Sequence, residues 1–455
     1  MPARKIASML PFDSAQFVAW FRSVAHYVYD HRGKVCVIAC RGAMLARERF
    51  LSLAQDLNLL NAIGVSLVLV YGARPQIDAE LARRGLATRF ARGFRVTDAA
   101  AMEVVKQVVG GLRIDIESML SSAPPDSPMA GAELRLAGGN FVVGRPLGVV
   151  GGEDFLFSGE VRRIDVASIR TALTERRLVL LDPLGYSPSG EVFNLDALDL
   201  AAATAGALGA DKLVYLLDAP GLVAGDGQLL RELTAAEAER RFVRFVPEEL
   251  DRATAAAVRA IRAGVGRAHL LSEQHDGATV LELFTHSGVG SMISQDPVER
   301  IRQAGIEDIA QLLRLLEPLE ADGTLVRRGR ALLEREIDRF SVLEHDGRLI
   351  GCAALYPFPA EAAAELAGLA VHAEFRGAGR GERLLRYVEQ RAGDRDVTRL
   401  FVLTTRAAHW FSERGFHAAT PAALPRDKQL LYNYQRRSKV LAKDLGRRAP
   451  KRRSG

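Results

Sequence analysis

The stretch VHAEFRGAGRGERLL, residues 371–385, sets glycine at 377, 379 and 381 between an apolar, strand-like run and a leucine-bearing helical one. A glycine-rich turn between a strand and a helix start offers backbone N–H groups with no side chain in the way. The helix dipole adds partial positive charge at the same place. The ligand that suits such a turn is a phosphate or pyrophosphate. Two common phosphate loops do not fit the spacing Arg376-x-x-Gly379-x-Gly381: no acidic residue follows about 20 positions later in a second strand-helix unit, and no Lys-Ser/Thr pair follows.

Working outward, the C-terminal third reads as helix 306–320, helix 330–340, a hairpin turning at Asp346-Gly347, strand 365–371, the glycine loop, helix 381–392, strand 399–404 and helix 407–414. The character of the chain changes near SMISQDPV, residues 291–298. Before it, strand-like runs at 34–40, 65–73, 177–182 and 212–218 alternate with alanine-rich helical stretches. That rhythm predicts a layered α/β domain with a mostly parallel sheet. The expected division is a first domain over 1–292, a linker over 293–298, a second α/β domain over 299–446 and a basic tail over 447–455.

Length and composition limit what these domains can be. At 455 residues the chain exceeds one ordinary core. No apolar run reaches the roughly 20 residues that span a bilayer, and the start MPARKIASMLPFDSAQF lacks a long apolar core, so a cytoplasmic location is expected. Cys36 and Cys40 share one strand and Cys352 is remote, which gives neither a disulfide framework nor a metal spacing. The net charge of +6 owes five positive charges to Arg447, Arg448, Lys451, Arg452 and Arg453, so the body of the chain is close to neutral. No nucleic-acid partner and no metal are expected.

The order strand, Arg-x-x-Gly-x-Gly, amphipathic helix, strand and WFSERGF (410–416) resembles the acyl-CoA-binding half of the Gcn5-related N-acetyltransferase family. The resemblance implies that Arg376, Gly377, Ala378, Gly379, Arg380 and Gly381 grip the pyrophosphate of acetyl-CoA as cosubstrate. It implies that the strand residues Leu369, Ala370 and Val371 hold the pantetheine arm. It assigns Glu365 as a general base, acting through water. The family often places a tyrosine acid four residues before the glycine of the GF pair, and here that position is Phe411. Thr404, a bound water or Tyr432 is left to return the proton to sulfur.

The N-terminal two thirds resembles the amino-acid kinase family, most closely the acetylglutamate kinases, through GKVCVIACRGAM (33–44), YGARPQID (71–78), GFRVTD (93–98), FNLD (193–196), LGADKLVYLLDAPGL (208–222) and LELFTHSGVGSMI (281–293). Its phosphoryl-transfer charges are missing. Ala39 stands where the family has a catalytic lysine, Arg41 replaces the first glycine of a pair, and Leu198 stands where an aspartate is expected. A Gly-Met-x-x-Lys segment near 250–257 is absent. Phosphoryl transfer needs several charges placed together, so no kinase activity is expected.

A kinase-like domain without its chemistry, joined to an acetyltransferase, resembles the bacterial-type N-acetylglutamate synthase family, with further matching segments at 324–340, 352–359 and 432–441. The resemblance implies acetyl transfer to L-glutamate by direct attack in a ternary complex, as the first step of arginine biosynthesis under feedback by L-arginine. It assigns the substrate carboxylates to Arg328 and Arg436 with Ser438, and Arg327 and Arg437 are neighbours able to exchange roles. It assigns the arginine contacts to Tyr27, Glu282 and Gly288. Residues 14–31 carry apolar residues at 17, 21, 24 and 28, one helical stripe suited to pairing subunits, and a homo-oligomer, a hexamer, is expected. Two other classes stay open: an acetyltransferase for a different amine, which would not need Arg328 and Arg436, and a non-catalytic arginine sensor.

Overall fold

The computed structural model describes residues 13–122, 124, 127, 129–241, 248–285, 288–377, 379–430, 432 and 437–446. The chain divides into Met1–Pro297 and Val298–Gly455. The strand Ser291–Ser294 pairs within the first unit, so residues 293 and 294 of the expected linker belong to that unit's sheet.

The first unit is built on eight strands in the order Glu232–Thr234, Ser291–Ser294, Arg267–Ser272, Lys212–Leu217, Val35–Cys40, Ser66–Tyr71, Arg177–Leu181 and Arg135–Gly138. Every pair is parallel except Ser291–Ser294 against Arg267–Ser272. The continuous apolar runs follow from burial on both faces. Val37 and Ala39 pack into one layer with Leu200 and Ala257, while Cys36, Ile38 and Cys40 pack into the opposite layer with Leu57 and Val105. A smaller four-stranded sheet, whose strands lie between Val142 and Asn194, accompanies this core.

The second unit is a seven-stranded sheet in the order Glu299–Gln303, Phe340–His345, Arg348–Phe358, Ala363–Val371, Arg399–Thr404, Lys439–Asp444 and His417–Ala419. Asp346 and Gly347 both have positive φ, 55° and 77°, which joins two of these strands by a tight hairpin turn whose twist matches theirs. The helix Arg380–Gly393 lays Leu384, Leu385 and Val388 on one face of the sheet, and Ile309–Ala321 lays Leu312 and Leu316 on the other. Each such leucine contributes roughly 2 kcal/mol of apolar burial. The expected helix 330–340 ends at Glu336, because Phe340 and Val342 are drawn into the sheet core. Among the described residues, no helix is long and apolar enough to cross a membrane.

Candidate active site

In the second unit, two neighbouring parallel strands part company. Ala363–Val371 pairs with Arg399–Thr404 only at Ala363, Ala364 and Glu365, against Arg399, Leu400 and Phe401. Beyond Glu365 that edge of the strand is left without its ladder. Its opposite edge continues against Arg348–Phe358, with a break in register: Ala367 faces Ala354 and Ala370 faces Cys352, so Gly368 and Leu369 together face Ala353. This is a bulge. Gly368 has φ of 59°, a conformation that a side chain resists, and the bulge turns the backbone around Leu369 toward the gap. Leu369 and Val371 lie on the face of the Arg380–Gly393 helix, and Ala370 on the other.

The strand runs straight into the glycine loop. Gly377 and Gly379 have φ of 93° and 68°, and Gly379 caps the Arg380–Gly393 helix without a side-chain acceptor; the Arg380 N–H donates to the Gly377 carbonyl at 3.4 Å, and no cap side chain takes the N–H groups that follow it. Glu382, in that same turn, is neutralised by Arg386 and Arg414. Arg376 is exposed, and its Nε donates to the Val371 carbonyl at 3.2 Å. Gly381 lies inside the helix, where a Cβ would come within 3.3 Å of Trp410. Ala378 lies outside the described residues.

The Arg380 guanidinium is committed within the fold. Its Nε donates to Glu299 at 2.6 Å, Arg383 donates to the same carboxylate, and His345 Nδ1 lies 3.4 Å away. Burial alone would raise the pKa of Glu299, but hydrogen bonds from His345 and Arg380 and the charges of Arg380 and Arg383 outweigh it and hold it at about 2. Glu299 thus fixes the start of the Arg380–Gly393 helix, and its contribution is present above the ordinary value of 4.5 and is lost as pH falls through about 2. Glu299→Gln is expected to raise the KM for acetyl-CoA about tenfold, the equivalent of roughly 1.4 kcal/mol, with kcat nearly unchanged. Steady-state kinetics with acetyl-CoA varied would check it, and a fall in kcat alone would count against this placement.

The other residues that the sequence singled out are placed as follows. Glu365 is buried and pairs across the sheet with Tyr356. Its carboxylate accepts from Lys428 Nζ at 2.6 Å. Arg328 lies 3.7 Å from the position that a Cβ of Gly368 would take, and it donates to the Val326 carbonyl at 3.3 Å. Among the described residues no carboxylate is bonded to its guanidinium. Arg327 is exposed. Tyr356, whose hydroxyl burial pushes up to about 12, donates to Glu336 at 2.9 Å. Thr404 accepts from the Ala407 N–H at 2.9 Å, which leaves its own proton free. Tyr432 donates to the Ser438 carbonyl at 2.6 Å. Arg436 lies outside the described residues, and Arg437 is exposed. Phe411 is part of the core, packed edge-to-face with Trp410 and Phe416. Cys352 is fully buried and its thiol is pushed up to about 12 by burial.

In the first unit, Glu282 lies against Gly288, and Tyr27 packs on Phe284, two residues along the chain from Glu282. Tyr27 and His31, on the Ser14–His31 helix, meet Phe284 with ring centroids 6.5 and 5.3 Å away. Glu282 is more occupied than its sequence position suggests. One oxygen bonds His269 Nδ1 at 2.8 Å, and the other accepts from the Val289 and Gly290 N–H groups. A carboxylate has about four acceptor positions, so one remains. The apolar stripe of that helix is mixed: Phe17, Val24 and Val28 are half-buried and Phe21 is exposed. The kinase-like positions Ala39, Arg41 and Leu198 line a single cavity. Arg41 is held by Glu249 and Glu273 at 2.8 Å each. Among the described residues, no cluster of three or more His, Cys, Asp or Glu could hold a metal ion.

The sequence reading did not single out Lys428, Glu299 or Gly368. Only the glycine carried a local signal, since an isolated glycine within a strand run often marks a bulge.

The Amino acid kinase family matches residues 34–272, and the Acetyltransferase (GNAT) family matches residues 306–416. An amino-acid acetyltransferase of Ralstonia nicotianae is 48% identical over 437 residues, covering 95% of this chain and 96% of the relative. One of Azotobacter vinelandii is 49% identical over 433 residues, covering 94% and 99%. The crystal structure of N-acetylglutamate synthase from Neisseria gonorrhoeae complexed with coenzyme A and L-arginine is 37% identical with a TM-score of 0.85. It covers 95% of this chain and 100% of that one. The structure of the same enzyme with coenzyme A and N-acetyl-glutamate is 38% identical, with a TM-score of 0.61 and the same coverage.

Proposed function

This chain belongs to the amino-acid acetyltransferase family, and from that premise we propose that it transfers the acetyl group of acetyl-CoA to the α-amine of L-glutamate. The observation that carries the reading is the parted strand pair. An open strand edge leads into an uncapped helix N-terminus on one side and meets Glu365 and Arg328 on the other. A thioester and an acidic amino acid are the pair of substrates that such a gap suits.

The reaction runs by direct attack in a ternary complex. Cys352, buried with its thiol pushed up to about 12, is unsuited to carrying an acetyl group between two half-reactions. The α-amine of glutamate is cationic near neutral pH, with a pKa of about 8 or above, so Glu365 takes its proton through water before nitrogen attacks the carbonyl carbon. Lys428 assists, since a second cation beside the same carboxylate disfavours the charged amine. The oxyanion is met by the backbone N–H near Leu369. As the carbon-sulfur bond breaks, Thr404 or a water gives the coenzyme A thiolate its proton. Arg328 takes one substrate carboxylate, and Arg436 with Ser438 the other. Thiol release from acetyl-CoA across a panel of amino acids and a protein lysine, without ATP or added metal, tests the assignment. A response to glutamate is expected, and silence with glutamate would sink it.

The kinase-like domain serves regulation. L-Arginine binds beside Tyr27, Glu282 and Gly288 and inhibits acetyl transfer, as feedback on the first step of arginine biosynthesis. Support comes from the packing of Tyr27 on Phe284, two residues from Glu282, from the approach of Glu282 to Gly288, and from the arginine held by the Neisseria enzyme. The Ser14–His31 helix exposes Trp20, Phe21 and Tyr29, which suits a homo-oligomer, hexameric and cytoplasmic. Arginine acts only through different affinities for two states. Tyr27→Ala is therefore expected to raise the arginine concentration for half-inhibition about tenfold, or roughly 1.4 kcal/mol, without altering uninhibited turnover. Paired inhibition curves at fixed glutamate and acetyl-CoA measure it, and superimposable curves would remove Tyr27 from the effector site.

A further inference from the structure

Lys428 presents an amine to the same carboxylate that serves the substrate's amine. The short helix Arg426–Leu430 that carries it is fixed beside the start of the strand Ala363–Val371. Leu424, just before that helix, is buried with Ala363, Phe401 and Val440, and the Arg426 N–H donates to Glu361 at 3.3 Å. The Gln429 side chain donates to the Ala422 and Leu424 carbonyls at 3.0 and 2.7 Å, which closes the turn on itself. The lysine is thereby delivered to one place. Its Nζ lies 2.6 Å from Glu365, which is buried, while 21% of the lysine side chain stays exposed.

Lys443 shows what such a pair does elsewhere in the same unit. It bonds Glu389 at 2.7 Å and is about as exposed, at 26%, but its partner belongs to the helix Arg380–Gly393. That pair ties a helix to the sheet. The Glu365 pair stands where the strands Ala363–Val371 and Arg399–Thr404 separate, so an ammonium group of the chain itself sits where a substrate's ammonium has to approach. An amine that Glu365 serves through one water lies only a water's width, roughly 3 Å, farther from the carboxylate than Lys428 Nζ does. The flexible four-carbon stem of a lysine covers that step.

We propose that Lys428 is a self-acetylation site, taking the acetyl group when acetyl-CoA is bound and no amino acid fills the acceptor place. The inference rests on the acetyl-transfer reading of this site. Glu365 removes a proton from the ammonium, and the Nζ lone pair attacks the thioester carbonyl carbon. A carbon-nitrogen bond forms, the carbon-sulfur bond breaks, and the coenzyme A thiolate leaves with a proton from Thr404 or water. The product is an uncharged acetyl-lysine, which leaves Glu365 without its neighbouring cation. Self-acetylation is slower than turnover, because lysine-type ammonium groups in general hold their proton about two pH units longer than α-ammonium groups.

Incubating the full chain with acetyl-CoA alone, and mapping acetylated peptides by mass spectrometry over time, tests this. Lys428 is expected to be acetylated at least about tenfold faster than Lys443 or Lys106, which lie outside the gap and report the background reaction of acetyl-CoA with lysines. Saturating glutamate, and separately Glu365→Gln, should each slow Lys428 by about tenfold or more while leaving the other two lysines unchanged. Glutamate turnover is followed on the same preparation. Turnover with Lys428 unmodified, modified no faster than Lys443, or modified at a rate that glutamate does not slow, overturns the proposal alone. Acetylated Lys428 without glutamate turnover supports it and removes glutamate as the substrate instead.

Discussion

Replacing Glu365 by glutamine is expected to lower glutamate turnover at neutral pH by about 10²- to 10⁴-fold, the usual worth of a positioned general base. Glutamine keeps the shape of the buried side chain and its place opposite Tyr356 and Phe401, so the sheet has no reason to rearrange. What disappears is the proton acceptor and the charge partner of Lys428. The pH dependence separates these roles from mere packing. Above the pKa of the substrate's own amine, at about 8 or higher, the nucleophile forms unaided, so the deficit of the variant should shrink as pH rises. An equal loss at every pH would assign Glu365 a structural part, and undiminished turnover would remove it from the mechanism. Lys428→Met gives the complementary result: the base remains, the neighbouring cation is lost, and the acidic limb of the pH profile should move upward.

The elements that were plain in the sequence are those whose signal is local. The runs at 34–40 and 212–218 are apolar throughout because both of their faces are buried, and Asp346-Gly347 specifies its own turn. The glycine loop was legible for the same reason, since Gly377 and Gly379 adopt the positive φ that their residue type permits. The groups that orient the site were not legible. Lys428 meets Glu365 across 63 positions of chain, and Glu299 reaches Arg380 across 81. Such pairs depend on how strands stack, which no spacing rule encodes. The helix expected over 330–340 stopped early on similar grounds: its periodicity continued, but tertiary burial of Phe340 and Val342 outweighed it. Glu282 was grouped with Tyr27 and Gly288 as an arginine contact from motif position alone, yet its three hydrogen bonds belong to the fold and appear only in three dimensions.

Arg328→Ala is expected to raise the KM for glutamate about a hundredfold, or roughly 2.7 kcal/mol, while the KM for acetyl-CoA stays near its original value. The reason lies in how little holds the guanidinium in the free enzyme. It donates to the Val326 carbonyl and meets the Tyr356 hydroxyl, neither of them a carboxylate, while the Arg328 backbone N–H is fixed by Glu320 at 2.9 Å. Its base is thereby positioned, and its charge has no carboxylate partner among the described residues until a ligand supplies one. A charge-assisted bond to a carboxylate is worth about 1.5–3 kcal/mol, and the two-pronged geometry places the expected loss toward the upper end. Lysine at this position should recover only part of the affinity, because an ammonium cannot reproduce the fork. Arg327→Ala serves as the control: that side chain is exposed, and its removal should leave the KM for glutamate within about threefold. Should Arg327→Ala carry the larger penalty, the carboxylate contact belongs to Arg327. Should neither change affect the KM for glutamate, the acceptor lies elsewhere, and an amine without carboxylates becomes the substrate to seek.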